Sequence, residues 1–192
     1  MKTNIISSLF FIGLAALLTA GCGENKAAED ITALEQLVRF EPNNVKARFR
    51  LGLAYSSVKN YDKAISSWKE LLKISPDDTA ALQLLSLTAF RLERYADALP
   101  ALTRLAQMQP QNAEAQQNLG NVLMKTGDFE GAKLVYKKAV ELNPEMYESL
   151  FSLGAAYVNL GQKDSAQTVY QMIREKNTIL ANRLKERIEG KE

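Results

Sequence analysis

Residues 42–78 read PNNVKARFRLGLAYSSVKNYDKAISSWKELLKISPDD, and the sequence that follows repeats their plan. Pro42 opens the stretch and Pro76 closes it; Pro110 and Pro144 continue the series at the same spacing, the differences 76 − 42, 110 − 76 and 144 − 110 being equal. Proline lacks a backbone N–H and disfavours helical geometry in the residue before it, so each of the four stops a helix. Asn44, Asp78 and Asn112 stand two residues after a proline. There a side-chain oxygen can accept from the unpaired N–H groups of a new helix. Pro144 is followed by Glu145 and Met146, a poorer cap.

Shifting the sequence by that same interval aligns further columns. Leu51, Leu85, Leu119 and Leu153 form one, Gly52, Ser86, Gly120 and Gly154 the next, and Ala64, Ala98, Ala132 and Ala166 a third. Large apolar residues recur as Trp68, Leu102, Tyr136 and Tyr170, and as Tyr61, Tyr95 and Phe129, the last column breaking at Lys163. The Gly/Ser and alanine columns are predicted to lie where two helices of one unit cross, since small side chains let backbones approach closely. Trp68 shares its column with Leu102 and Tyr136 and reads as core. Pro100 is off-period, near the start of a second helix, and no function is attached to it.

Period and columns together resemble the tetratricopeptide repeat, a helix-turn-helix unit of the same period. The resemblance implies an all-α, right-handed α-solenoid with full units at 45–78, 79–112, 113–146 and 147–180. Residues 29–40, with Ile31, Leu34, Leu37 and Val38 on one face, match the second helix of a unit without its first. Residues 181–190 match the solvating helix that closes such arrays: Leu184 and Ile188 share a face, while Asn182, Arg183, Lys185, Glu186 and Arg187 face water. Two departures stand out. The family's bulky residue near the start of each unit is present as Leu82 and Leu150 but is Arg48 and Gln116 in the other two units, and the closing proline of the last unit is Thr178.

The first residues carry a different pattern. Lys2 precedes an apolar run from Ile5 to Leu18, interrupted by Ser7 and Ser8 and followed by small residues up to Cys22. The run is too short to cross a hydrocarbon core comfortably and reads as an export signal over residues 1–21. Leu18-Thr19-Ala20-Gly21-Cys22 resembles the lipobox of bacterial lipoproteins, with Thr19 where leucine is usual. The resemblance implies lipidation of Cys22, a short tether over 22–28, and an array over 29–192 held close to a membrane. Gly23 stands where an aspartate would mark inner-membrane retention in diderm bacteria, so the expected address is the outer membrane, facing the periplasm.

Composition narrows the function. The net charge of +2 includes no clustered basic excess, which argues against nucleic acid as a partner. The sequence has no histidine, and so lacks the commonest general base and the commonest zinc ligand. Its single cysteine allows no intramolecular disulfide. Lys125-Thr126 is not preceded by the glycine of a phosphate loop, and no nucleophile–base combination stands out. The expectation is a protein that binds another protein, with no catalysis, cofactor, metal or small-molecule substrate.

The family resemblance also implies where binding would occur, because there the first helix of each unit lines a concave groove. The matching positions are Phe49, Leu53, Leu84, Leu87 and Phe90, an apolar stretch, followed by Gln117, Asn118, Asn121, Phe151 and Asn159. Amides can hydrogen-bond an extended peptide backbone, and the apolar stretch can hold a partner helix or strand. A specialised form of the family grips a terminal carboxylate at set groove positions; here those places are Phe49, Leu53, Leu84, Glu114 and Asn118, none of them basic, so that clamp is absent. The implied role is a membrane-anchored scaffold or assembly factor for envelope, secretion or pilus machinery. A structural or homo-oligomeric spacer and a cell-wall-acting enzyme are the alternatives.

Overall fold

The computed structural model describes residues 30–191, and every regular element among them is an α-helix. The export signal, Cys22 and the tether lie outside the described residues. Residues 30–40 form α1. There follow α2 (Val45–Ser57), α3 (Tyr61–Ile74), α4 (Thr79–Arg91), α5 (Tyr95–Met108), α6 (Ala113–Thr126), α7 (Phe129–Leu142), α8 (Tyr147–Asn159), α9 (Lys163–Ile173) and α10 (Thr178–Glu189). First helices begin at Val45, Thr79, Ala113 and Tyr147, and second helices at Tyr61, Tyr95, Phe129 and Lys163, so both series keep the period of the sequence.

The boundaries have local causes. The side-chain oxygens of Asn44, Asp78 and Asn112 accept from the N–H groups of Ala47, Ala81 and Ala115, at 2.9, 2.8 and 3.2 Å. Met146 offers α8 no such bond. Each turn inside a unit passes through one left-handed residue: Lys59, Glu93, Gly127 and Gly161, spaced by the same period. The next residue's N–H reaches back five positions to a carbonyl: Asn60 to Tyr55, Arg94 to Ala89, Asp128 to Leu123 and Gln162 to Tyr157. This is the Schellman closure.

The described residues fall into two compact units, one ending at Ala81 and the other beginning at Leu82. In the first, α2 and α3 pack on each other, and Ala64, Ile65, Trp68 and Leu71 are fully buried. A methyl group on Gly52 would collide with the Trp68 indole. α1 adds Leu34 to this core and is tied down at Glu35. The Tyr55 hydroxyl donates to the Glu35 carboxylate, and Lys63 Nζ lies 3.6 Å from it and 5.0 Å from the centre of the Tyr55 ring.

In the second unit α5 packs on α6, α6 on α7, α7 on α8, α8 on α9 and α9 on α10, the successive stacking of a helical-repeat solenoid. Its core joins Ala132, Tyr136, Leu150, Leu153, Val169, Ile173, Ala181 and Leu184. The crossing repeats the logic of the first unit. A Cβ on Gly120 would lie 2.5 Å from Tyr136 Cε1. All four residues of the alanine column are completely buried.

The end of the chain differs from expectation in two respects. α10 begins at Thr178, three residues ahead of the expected 181, because the side chain of Asn177 accepts from Leu180 N–H at 3.1 Å and starts the helix there. The space over Gly154 is closed by Leu184 of α10, whose Cδ2 would lie 2.5 Å from an added Cβ, while Tyr170 is only partly buried. Gln116, a departure from the family pattern, is buried, and its amide donates to the Ala106 carbonyl at 3.4 Å. Arg48, the other, is partly buried, and its Nε donates to the Pro42 carbonyl at 2.8 Å.

Candidate functional site

A first helix has one stripe facing its unit's core and another left over. On α2 the core stripe is Ala47, Leu51, Gly52 and Tyr55. Phe49 and Leu53 lie outside it, Phe49 partly buried and Leu53 42% exposed. On α4, Leu82, Leu85 and Ala89 are buried, whereas Leu87 is 58% exposed and flanked by partly buried Leu84 and Phe90. The Phe90 ring meets Tyr95 edge-on at 5.4 Å, which fixes its orientation at the turn into α5. Leu53 and Leu87 occupy one column, two residues beyond the buried leucine column, so in each helix an outward leucine follows an inward one.

The polar half of the set lies on α6 and α8, which are in contact with each other. Gln117 is partly buried and Asn118 exposed. Asn121 Oδ1 accepts a 2.8 Å hydrogen bond from the Tyr136 hydroxyl. Tyr136 is buried, and burial pushes its pKa up to about 12 against a smaller opposing effect of Ser152, so the phenol stays protonated and donating at neutral pH. That bond holds the Asn121 side chain through its oxygen. An amide held this way can donate to a backbone carbonyl at little entropic cost.

Two expected groove residues are engaged by the fold itself. Asn159 donates from Nδ2 to the Ala155 carbonyl of its own helix at 3.0 Å. Phe151 packs against the core, and the Arg183 guanidinium of α10 sits 4.8 Å above its ring. Neither contact is readable from the repeat spacing, since one is local and the other comes from the closing helix. The Tyr136–Asn121 bond left a fainter trace. The column Leu53, Leu87, Asn121 and Ala155 turns polar in a unit whose large residue carries a hydroxyl, Tyr136, although Tyr170 shares its unit with Ala155.

Among the described residues no group of His, Cys, Asp or Glu is placed to hold a metal ion, and no helix is long and apolar enough to cross a membrane.

The chain matches family models of the tetratricopeptide repeat at residues 45–78, 89–135, 120–161 and 148–177. Among solved structures, a crystal structure of MamA is 26% identical with a TM-score of 0.61, over 79% of this chain and 89% of that one. Residues 41 to the end of MamA from Desulfovibrio magneticus RS-1 are 22% identical with a TM-score of 0.59, over 86% and 96%. YrrB, described as a TPR protein with an unusual peptide-binding site, is 18% identical with a TM-score of 0.69, over 92% and 90%. No curated protein matches the chain. Helix pairs that recur with the period of the prolines, large residues closing over Gly52, Gly120 and Gly154, and four family matches lead to one assignment: the chain is a tetratricopeptide-repeat protein.

Proposed function

We propose that this protein is a membrane-anchored interaction scaffold of the bacterial envelope, lipidated at Cys22 and holding a segment of a protein partner against the first helices of its repeats on the periplasmic side. The observation that carries the binding role is the outward leucine column. Leu53 and Leu87 stay 42% and 58% exposed, although Leu51 and Leu85 beside them satisfy the core. Exposed apolar residues and oriented amides are the usual ingredients of a peptide-binding surface. YrrB, which shares the fold, is described by its peptide-binding site. The anchoring rests on the lipobox-like stretch before Cys22.

Crosslinking in intact cells, followed by identification of what is attached, tests the binding role. The pair Leu84→Asp and Leu87→Asp should abolish the crosslinked partner while far-UV circular dichroism stays unchanged; an unaltered set of partners refutes it. Cys22→Ala should move the protein out of the membrane fraction, and membrane retention of that variant refutes the lipid anchor.

Self-association as a spacer is the second reading, and α1 supports it. Leu37 shares a register with Leu71, Leu105, Ala139 and Ile173, all buried, yet it is 36% exposed, and Phe40 is 82% exposed. Sedimentation of the chain alone and with envelope extract separates the two readings.

A further inference from the structure

The first unit contains an open cavity of about 550 Å³ between α1, α2 and α3, and Leu53, Leu84 and Leu87 are not among its lining residues. That volume falls within the roughly 300–1,000 Å³ of small-ligand pockets. Arg48 is part of its lining, at a position that the other units fill differently. In the other units the same column is filled by Leu82, Gln116 and Leu150, all buried, and Gln116 reaches across to the Ala106 carbonyl of the preceding second helix. Val38 of α1 is the register equivalent of Ala106. Arg48 instead turns to the Pro42 carbonyl, and the space beside Val38 and Leu51 stays open.

The charges around the opening are unequal. Glu35 is held by Tyr55 and Lys63, and Glu70 is paired with Lys73 at 2.5 Å, with Arg48 adding a longer-range attraction. Arg39 and Arg48 also line the cavity. The site therefore combines the apolar side chains of Val38, Pro42 and Leu51 with the guanidinium groups of Arg39 and Arg48. Guanidinium forks pair with carboxylates through two parallel hydrogen bonds.

We propose that this cavity binds a carboxylate-bearing apolar group, with a leucine-like side chain filling the position vacated at Arg48 and the carboxylate held by Arg39 and Arg48. The chemistry is shared by a polypeptide ending in an apolar residue and by a free small acid.

The test is a titration of the ¹⁵N-labelled full chain with N-acetyl-leucine and with N-acetyl-leucinamide. The free acid should shift the amide signals of Val38, Leu51 and Tyr55 saturably. The amide should bind at least about tenfold more weakly, the loss expected when a charge-assisted hydrogen bond is removed. Arg48→Leu restores the residue used at Leu82 and Leu150; it should keep the melting temperature and abolish the shifts. Should that variant fail to fold, the pair Arg39→Gln and Arg48→Gln carries the same expectation of lost binding. The pair Leu84→Asp and Leu87→Asp should leave the titration unchanged, so this site and the binding role of the outward leucines fail or stand separately. A peptide ending in leucine that binds more tightly than N-acetyl-leucine assigns the site to a chain terminus, and equal affinity assigns it to a free acid; both support the shared chemistry. Absence of saturable shifts, equal binding of acid and amide, or full binding by folded Arg48→Leu overturns the proposal.

Discussion

Replacing Gly120 by alanine probes the crossing on which the second unit depends. The new Cβ would stand 2.5 Å from Cε1, 2.7 Å from Cζ and 2.8 Å from Cδ1 of Tyr136. Carbon atoms rest at about 3.5–4.0 Å, so the ring must retreat by about 1 Å. Tyr136 is buried, and its hydroxyl is fixed at 2.8 Å from Asn121, so the retreat strains packing and that bond together. Overpacking costs about 1–3 kcal/mol and a strained hydrogen bond about 1 kcal/mol more, while alanine recovers about 1 kcal/mol of helix propensity over glycine. The net expectation is a loss of about 1–3 kcal/mol, or roughly 2–12 °C in Tm for a chain of this size. The second full repeat carries its own version of the compensation, with Ser86 in the small column and Leu102 in the large one. In a Tyr136→Leu background, Gly120→Ala should therefore be neutral or stabilising by up to about 1 kcal/mol. Urea unfolding followed by circular dichroism on the four members of this cycle gives the coupling energy. Equal costs of Gly120→Ala in both backgrounds would refute the claim that Tyr136 closes the crossing.

Three other outcomes are expected. Lys59 and Glu93 hold φ values of +61° and +58° at turns where the later units use Gly127 and Gly161. Lys59→Gly and Glu93→Gly should each stabilise by about 1 kcal/mol, read as a rise in urea midpoint, because the left-handed conformation costs a side-chain-bearing residue about 1–2 kcal/mol. Ser149 is buried with its hydroxyl unpaired, in a column otherwise occupied by Ala47, Ala81 and Ala115. Ser149→Ala should raise stability by about 1 kcal/mol, and a fall in Tm would show that the hydroxyl has a use in the folded state. Tyr136 titrates at about 12 in the fold against an ordinary 10.0, so its contribution is complete below pH 10 and declines as pH rises towards 12. The decline is about 1.4 kcal/mol per pH unit in that window, and Tyr136→Phe should remove it from the pH dependence of stability.

Much of the fold was legible because the helix stops, the caps and the crossing columns are chemical necessities that recur with one period. Asn44, Asp78 and Asn112 act as the caps their spacing implied, and Met146 fails as one. The left-handed turn column was half hidden: Gly127 and Gly161 announce it, but Lys59 and Glu93 tolerate the strain and disguise it. The start of α10 was misplaced by three residues because Asn177, rather than the period, sets it. The candidate surface was less legible, for the period says which stripe faces outward and not which amides are already engaged. Asn159 is spent on Ala155, and Phe151 lies under Arg183, a contact supplied by a helix beyond the last repeat. The cavity in the first unit was marked in the sequence only as an arginine in place of a bulky residue. Its meaning depends on where Arg48 turns, which is a matter of a carbonyl six residues away.

The pairing of a small residue with a large one inside a single repeat bears on how such a chain can lengthen. Gly52 with Trp68, and Gly120 with Tyr136, are fitted to each other within one stretch of coding sequence, so a tandem duplication copies lock and key together and asks no distant residue to adapt. The terminal unit lacks that self-sufficiency. Gly154 is closed by Leu184, so growth at that end must carry the closing helix along, whereas an extra copy inserted between residues 112 and 113 brings its own fit with it.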